Sequence, residues 1–437
     1  MTKTLPFRKI FIFWIPLAAT WLMMSVEGPF LAAIIARLPD PKYNLAAYGV
    51  AFAFALIIEA PVIMIMSAST ALVRNRESFF KLRNFTYVLN GGVTVLMLLL
   101  LIPRIFYFIT ENLMGLDSEI SRLTHTSLFL LLPWPGAIGY RRFYQGILIR
   151  CNFTKRVAYG TVIRLISMAG TALLIYRYTG LDGALVGAIA LSTAVTLEAI
   201  ASRMMAYRSV QIIKENACTD ESSDEPLTYP GITRFYYPLA LTSLLALGVQ
   251  PLVTFFLGNS RMALDSLAVL PVVSSLVFIF RGLGLSFQEV GIVLMGKKNE
   301  HYRELRNFAS LLGVAVVTVL SLIAFTPLAG IWYADISGLS VELSQFALTP
   351  TQIMVLMPGL TVLLAFQRSL LVTNKKTTPI TVATSIEVLT IVSVLFIMTR
   401  IFDFVGIIAA ACALLGGRLL ANSYLFLPFR RVLSRLQ

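Results

Sequence analysis

The sequence predicts an all-α polytopic membrane protein, with twelve transmembrane helices forming two parallel six-helix repeats related by a pseudo-twofold along the membrane normal. Three observations carry that expectation. Of the 437 residues 57% are hydrophobic and 13% charged, and the mean hydropathy is +0.80, a surface that a water-soluble chain could not solvate. Apolar runs of the roughly 20 residues that span a bilayer recur along the whole chain. They are continuous and rich in Leu, Ala and Ile, without the alternation of barrel strands. Lastly, the second half repeats the first in register.

Taken in order, the spans are expected near 10–37, 46–73, 85–108, 124–148, 157–178, 183–205, 235–257, 264–294, 307–330, 347–372, 378–399 and 404–428. Positive charge should collect in every second loop if that order is right. One set of loops holds Lys3, Arg8 and Lys9; Arg74, Arg76, Lys81 and Arg83; Arg150, Lys155 and Arg156; Arg208 and Lys214; Lys297, Lys298, Arg303 and Arg306; Lys375 and Lys376; and Arg430, Arg431 and Arg435. The other set carries little beyond Lys42, Arg104, Arg122, Arg261 and Arg400, with Glu111, Asp117, Glu119, Asp335 and Glu342 for company. Both termini are therefore expected in the cytoplasm, in a plasma (inner) membrane. The same bias accounts for most of the formal net charge of +14, so no nucleic-acid partner is expected. The apolar run after Arg8-Lys9 is too long for a signal-peptide core and lacks a clear cleavage site, so the first span is expected to stay in the protein. Cys151, Cys218 and Cys412 fall in separate regions and imply no disulfide framework.

The repeat is visible at the start of each half, where FWIPLAAT (Phe13 to Thr20) answers FYYPLALT (Phe235 to Thr242). Pro16 and Pro238 are 222 positions apart, and the offset holds through Pro29 and Pro251 and through Leu45-Ala46 and Leu267-Ala268. After one inserted position it becomes 223: LRNF at Leu82 recurs at Leu305, Pro135-Gly136 at Pro358-Gly359, and Gly183 at Gly406. An even number of spans per half gives the two copies one orientation. The halves are read as a six-helix lobe at 1–213 and another at 231–437, joined at 214–230 by a polar, acidic linker on the cytoplasmic side. Repeats of this kind hold substrate where the two lobes meet and work by alternating access.

At this point the residues resemble a known family. Two parallel sixes with a proline-bent first helix, at Pro16, Pro29, Pro238 and Pro251, look like the multidrug and toxic compound extrusion (MATE) fold of the MOP flippase superfamily. Several motifs are most similar to the progressive ankylosis (ANK) transporters. They are FYYPLAL with Pro251-Leu252-Val253, Ala47-Tyr48-Gly49-Val50-Ala51, Gln145-Gly146-Ile147-Leu148-Ile149-Arg150 and Thr373-Asn374-Lys375-Lys376-Thr377. The resemblance spans nearly the whole chain. It implies a V-shaped secondary-active exporter of small organic or phosphorylated anions, such as pyrophosphate, ATP or citrate, working as a monomer among membrane lipids and without a cofactor. The long charged C-terminal tail of the animal relatives is missing here, which puts their regulation in doubt.

Charges inside the hydrocarbon cost several kcal/mol and tend to face a cavity or a partner. The candidates are Glu27, Glu59, Arg141, Arg142, Arg164, Arg281, Glu289, Arg368, Glu387 and Arg418. Across the repeat Glu59 matches Arg281, Arg164 matches Glu387 and Gln145 matches Arg368, so opposite charges could meet as a gate. Alternatively each snorkels to an interface or pairs within its own lobe. Glu27, two residues before Pro29, is the candidate for binding a coupling proton or sodium ion, helped by carbonyls left unpaired at the bend; otherwise it serves solvation at the mouth of the helix. Arg142, Arg281 and Arg368 would grip an anion through guanidinium forks.

Other signals are weaker. GIVLMGKK from Gly291 lacks the last residue of a phosphate-binding loop, and the Asn84 and Asn152 glycosylation patterns fall on the cytoplasmic side. His125 and His301 lie on opposite sides of the membrane, so no histidine metal site or triad, and no enzyme, is expected. Two other functions stay open: a MATE-type exporter of cationic drugs, which would want net carboxylates in its cavity, and a flippase for a lipid-linked precursor.

Overall fold

The architecture is described from a computed structural model for residues 5–151, 153–215, 227–295, 299–374, 376 and 378–434, the side chains of Thr20, Thr154 and Thr242 excepted. Lys3, most of the expected linker with Cys218, Asn152, Lys297 and Lys298 of GIVLMGKK, Lys375, Thr377 and Arg435 lie outside the described residues.

The first repeat runs α1 (Phe7–Ile35), α2 (Pro41–Glu59), α3 (Ile65–Leu72), α4 (Arg76–Leu100), α5 (Pro103–Tyr107), α6 (Ser118–Leu130), α7 (Pro133–Arg150), α8 (Thr154–Tyr178), α9 (Gly183–Met205) and α10 (Tyr207–Lys214). The second runs α11 (Tyr229–Gly258), α12 (Ala263–Leu294), α13 (Tyr302–Phe325), α14 (Leu328–Gly330), α15 (Val341–Ile353), α16 (Met357–Thr373), α17 (Thr378–Phe396) and α18 (Gly406–Leu433). Among the described residues the only β pairing is an isolated bridge between Arg261 and Val405. Among the described residues ten helices, some of them joined across short breaks, are long and apolar enough to cross a membrane, and Arg76–Leu100 with Pro103–Leu113, bent by 72°, makes an eleventh if the pair is one span. The stretch expected as the fourth span is helical as α6 and α7, but Arg122, His125, Arg141 and Arg142 leave it short of apolar length. The third expected span ends earlier than read, because Pro103 cannot continue α4 and starts a new helix. The protein is an integral membrane protein, and residues such as Val88, Ile166 and Leu389, each more than 60% exposed, present the apolar surface that lipid covers.

The repeat extends to details that no residue identity dictates. A π-helical turn at Phe108–Leu113 recurs at Ile331–Ile336, 223 positions later. Gly115 and Gly338, at the same spacing, follow each turn with φ of 67° and 74°, a conformation that costs glycine least. The next helices start on side-chain caps at the same spacing: Asp117 accepts from the Glu119 N–H at 2.8 Å and Ser340 from the Leu343 N–H at 3.3 Å. One feature breaks the symmetry. The Pro41–Leu72 stretch is interrupted by a 3₁₀ turn at Ala60–Val62, whereas α12 runs unbroken through the matching positions. Pro61, which has no N–H and whose ring clashes with the preceding turn, is replaced there by Leu283.

The packed units do not coincide with the sequence halves. Contacts gather residues 1–46 with 255–437 as one unit and 47–254 as the other. In the first unit α1 packs against α12: Trp14 donates its indole N–H to Ser286 Oγ at 2.8 Å, and its ring meets Phe308 edge-on at 5.7 Å. In the second, α11 packs at the Pro61 break, where Ser243 donates to the Ala60 carbonyl at 2.7 Å and the Tyr236 hydroxyl donates to the Pro61 carbonyl. Tyr236 also meets Phe85 edge-on at 5.5 Å. Trp14 and Tyr236 are repeat partners, as are Phe85 and Phe308, so the leading helix of each repeat completes the core built by the other repeat's helices. Those cores center on Phe287, Phe366 and Phe429 in the first unit and on Phe79, Phe143 and Ile147 in the second.

Candidate functional site

Among the described residues each unit holds a cluster of buried charges. In the 47–254 unit, α7 supplies Arg141, Arg142 and Gln145 from consecutive turns, α8 supplies Arg164, α9 supplies Glu198 and α2 ends on Glu59. Glu198 is 1% exposed and binds on both oxygens: Arg141 donates to Oε2 and Gln145 Nε2 donates to Oε1 at 3.1 Å. Arg164 stands 4.0 Å from the same Oε2 and 5.9 Å over the Trp134 ring. Trp134 in turn donates its indole N–H to Glu59 Oε2 at 2.6 Å. Glu59 takes this place because the helix stops there at the Pro61 break. Arg142 is left with a weak contact to Met66 Sδ at 3.7 Å, and its Nε is buried without a partner among the described residues.

In the other unit α12 carries Arg281, α16 carries Thr361 and Arg368, α17 carries Thr384 and Glu387, and α18 carries Arg418. Arg418 grips Glu387 Oε1 through Nε at 2.9 Å and through its terminal nitrogen at 2.8 Å, and reaches Thr361 Oγ1 at 3.4 Å. Arg368 donates to Thr384 Oγ1 at 3.1 Å. The charges of Arg418 and Glu387 act on both Arg281 and Arg368. Here three guanidinium groups face one carboxylate, and in the first cluster three face two.

Comparison with solved structures places these clusters in a known architecture. No protein family matches the chain by sequence, and no curated protein matches it. An inward-facing multidrug resistance MATE family transporter of the MOP superfamily superposes with a TM-score of 0.75 at 16% identity, covering 95% of each chain. The lipid II flippase MurJ, in an inward closed conformation, gives 0.70 at 16% identity over 95% of this chain and 87% of its own. A MOP superfamily transporter from Pyrococcus furiosus, whose binding pocket is described as having reverse polarity, gives 0.66 at 16% identity over 98% and 96%. The chain has the MATE-type fold.

Within the MATE-type fold the expected site residues fall into three groups. Glu59, Arg142, Gln145 and Arg164 come together in one unit, and Arg281, Arg368 and Glu387 in the other. Glu27 lies on α1, 7% exposed and next to Gly28, which packs against Ser275 of α12. Glu289 is exposed and joins neither. The four prolines Pro16, Pro29, Pro238 and Pro251 all lie inside α1 and α11, which continue through them. Within its own unit Glu59 accepts from Trp134, Arg164 approaches Glu198, and Arg418 holds Glu387.

Sequence reasoning passed over Glu198, the hub of its cluster, although it is the one acidic residue in the span at 183–205 and met the same cost argument as the others. Its relation to Arg418 was hidden by a shift. Arg418 matches Val195, three residues before Glu198, which is one helical turn on the same face. Both repeats therefore join their fifth and sixth spans by an ion pair, with the charges exchanged.

Proposed function

We propose that this protein exports small organic or phosphorylated anions across the plasma (inner) membrane by alternating access, in the manner of the ANK transporters, with both termini in the cytoplasm. The observation that carries the reading is the excess of positive charge in its buried clusters: Arg141, Arg142, Arg164, Arg281, Arg368 and Arg418 against Glu59, Glu198 and Glu387. A cavity selecting cationic drugs would need the opposite balance, since an uncompensated guanidinium repels such a substrate and attracts carboxylate or phosphate. The neighbour described as having a pocket of reverse polarity supports the view that pocket charge varies on this fold. Glu27, two residues before Pro29 on α1, is the proposed site for a coupling proton or sodium ion.

Counterflow in proteoliposomes tests the reading, with labelled citrate, pyrophosphate and ATP beside a cationic dye, with and without imposed proton and sodium gradients. Anion exchange without dye exchange is expected. Dye movement alone would overturn the reading and move Glu27 and Glu59 to the center of the site.

A further inference from the structure

A charge held in a membrane interior is retained only when something compensates it. In the 47–254 unit Glu198 and Glu59 do most of that for Arg141, Arg164 and Arg142. The other unit offers one carboxylate in its cluster, and Glu387 accepts twice from Arg418. Arg418 and Glu387 are 7% and 8% exposed, so the pair forms a fixed, neutral wall. Among the described residues Arg368 donates only to the uncharged Thr384, and Arg281 forms no hydrogen bond or ion pair. The Nε atoms of both are buried and unpartnered among those residues. Two guanidinium charges thus remain in a partly buried setting with no counter-charge of their own.

The positions of these two cations are fixed by the packing around them. Thr361 and Arg368 lie seven residues apart on α16, two turns along one face. Thr361 touches Arg418, Arg418 holds Glu387, and Thr384, one turn before Glu387, returns the chain of contacts to Arg368. Arg281 enters from α12, which crosses α16 so closely at Gly284 that a β-carbon there would lie 3.0 Å from the Val362 nitrogen and 3.4 Å from the Thr361 carbonyl carbon. Arg281 is one turn before Gly284, and its charge acts on both Arg418 and Glu387.

We propose that Arg281 and Arg368, bordered by Thr384 and backed by the Arg418–Glu387 pair, form the subsite for a doubly charged oxyanion, a phosphoryl or dicarboxylate group of the transported substrate. Two forks with free N–H groups suit a group with several anionic oxygens, and a dianion neutralises the cluster where a monoanion leaves one charge over. The inference rests on the anion-export reading and assigns its substrate-charge class to one unit.

The test uses the full chain in phosphatidylcholine nanodiscs, titrated calorimetrically with inorganic pyrophosphate, citrate and acetate, and melted with and without each. Pyrophosphate and citrate should bind, with acetate at least about tenfold weaker. Arg281→Gln and Arg368→Gln should each weaken pyrophosphate by about tenfold or more, the range of a lost charge-assisted contact, while Arg203→Gln should not. Arg281→Lys, which keeps the charge without the fork, should fall between. The melts separate binding from architecture. If the two arginines serve a ligand, the ligand-free glutamine variants melt no lower than the parent, since they shed an uncompensated charge, and they lose the rise that pyrophosphate gives. Variants that melt lower yet keep the parent's pyrophosphate affinity would overturn the proposal, as would acetate binding as tightly as pyrophosphate. Should the parent exchange anions in liposomes and both glutamine variants do so equally well, the subsite fails and the export reading stands. A parent that neither binds nor carries anions sinks both.

Discussion

Glu198 shows how much one buried carboxylate can decide. It compensates Arg141 directly, orients Gln145 and holds Arg164 within reach, so removing it strands cations in a low-dielectric interior. Glu198→Ala should cost about 3–5 kcal/mol, the usual result of breaking a buried pair from one side, and should appear as loss of monodisperse protein on size-exclusion chromatography. Glu27 calls for a different outcome. Glu27→Gln keeps shape and hydrogen bonding, so folding and downhill exchange should survive while gradient-driven uptake is lost; undiminished uphill transport would take Glu27 out of the mechanism. The cost of intramembrane charge marks such residues in a bare sequence. It cannot name their partners, and Thr361 and Thr384, which bear no charge, give no signal at all.

Among the elements, one close crossing repeats with its residues exchanged. In the 47–254 unit Gly146 of α7 meets Ser69 of α3, and in the other unit Ser369 of α16 meets Gly291 of α12. Ser69 matches Gly291 and Gly146 matches Ser369, so each crossing keeps one glycine and one serine and only the side changes. A β-carbon at Gly146 would lie 2.5 Å from the Met66 carbonyl oxygen, which is backbone and cannot move aside cheaply. Gly146→Ala should therefore destabilise by about 1–3 kcal/mol, as overpacking does. Gly170→Ala in α8, where nothing stands within 4 Å, should stabilise by up to about 1 kcal/mol through helix propensity alone. Thermal melts of the two variants side by side check both. The Gly146 motif was legible as a string shared with a resembled family, but its reason was not, because close approach belongs to two helices at once.

At the scale of the molecule, each repeat lends its first helix to the unit built by the other. The segment 231–437 expressed alone would lack α1, leaving Ser286 and Phe308 without Trp14, and should be degraded. Co-expressed with 1–230 it should recover a complex that copurifies, which pull-down from membranes will report. Stable, monodisperse 231–437 alone would show that α1 is dispensable to that unit. The proposed orientation has its own check: single cysteines at Asp117 and Arg208, in a background lacking the native ones, should react with an impermeant thiol reagent from outside and from inside the cell respectively.

Sequence by itself determined the helical membrane class, the order and approximate limits of most of the spans, the repeat and its offset, and most of the buried charges. These follow from local quantities: hydropathy over one helix length, the cost of a charge in hydrocarbon, and identity at a constant spacing. Tertiary structure decided which helices share a unit, that Glu59 answers to Trp134 and Glu387 to Arg418, and that Arg281 and Arg368 form no ion pair among the described residues. Those are properties of side chains meeting between helices distant in the chain. A shift of one turn, as between Glu198 and Arg418, preserves such a meeting while erasing it from any alignment of the repeats.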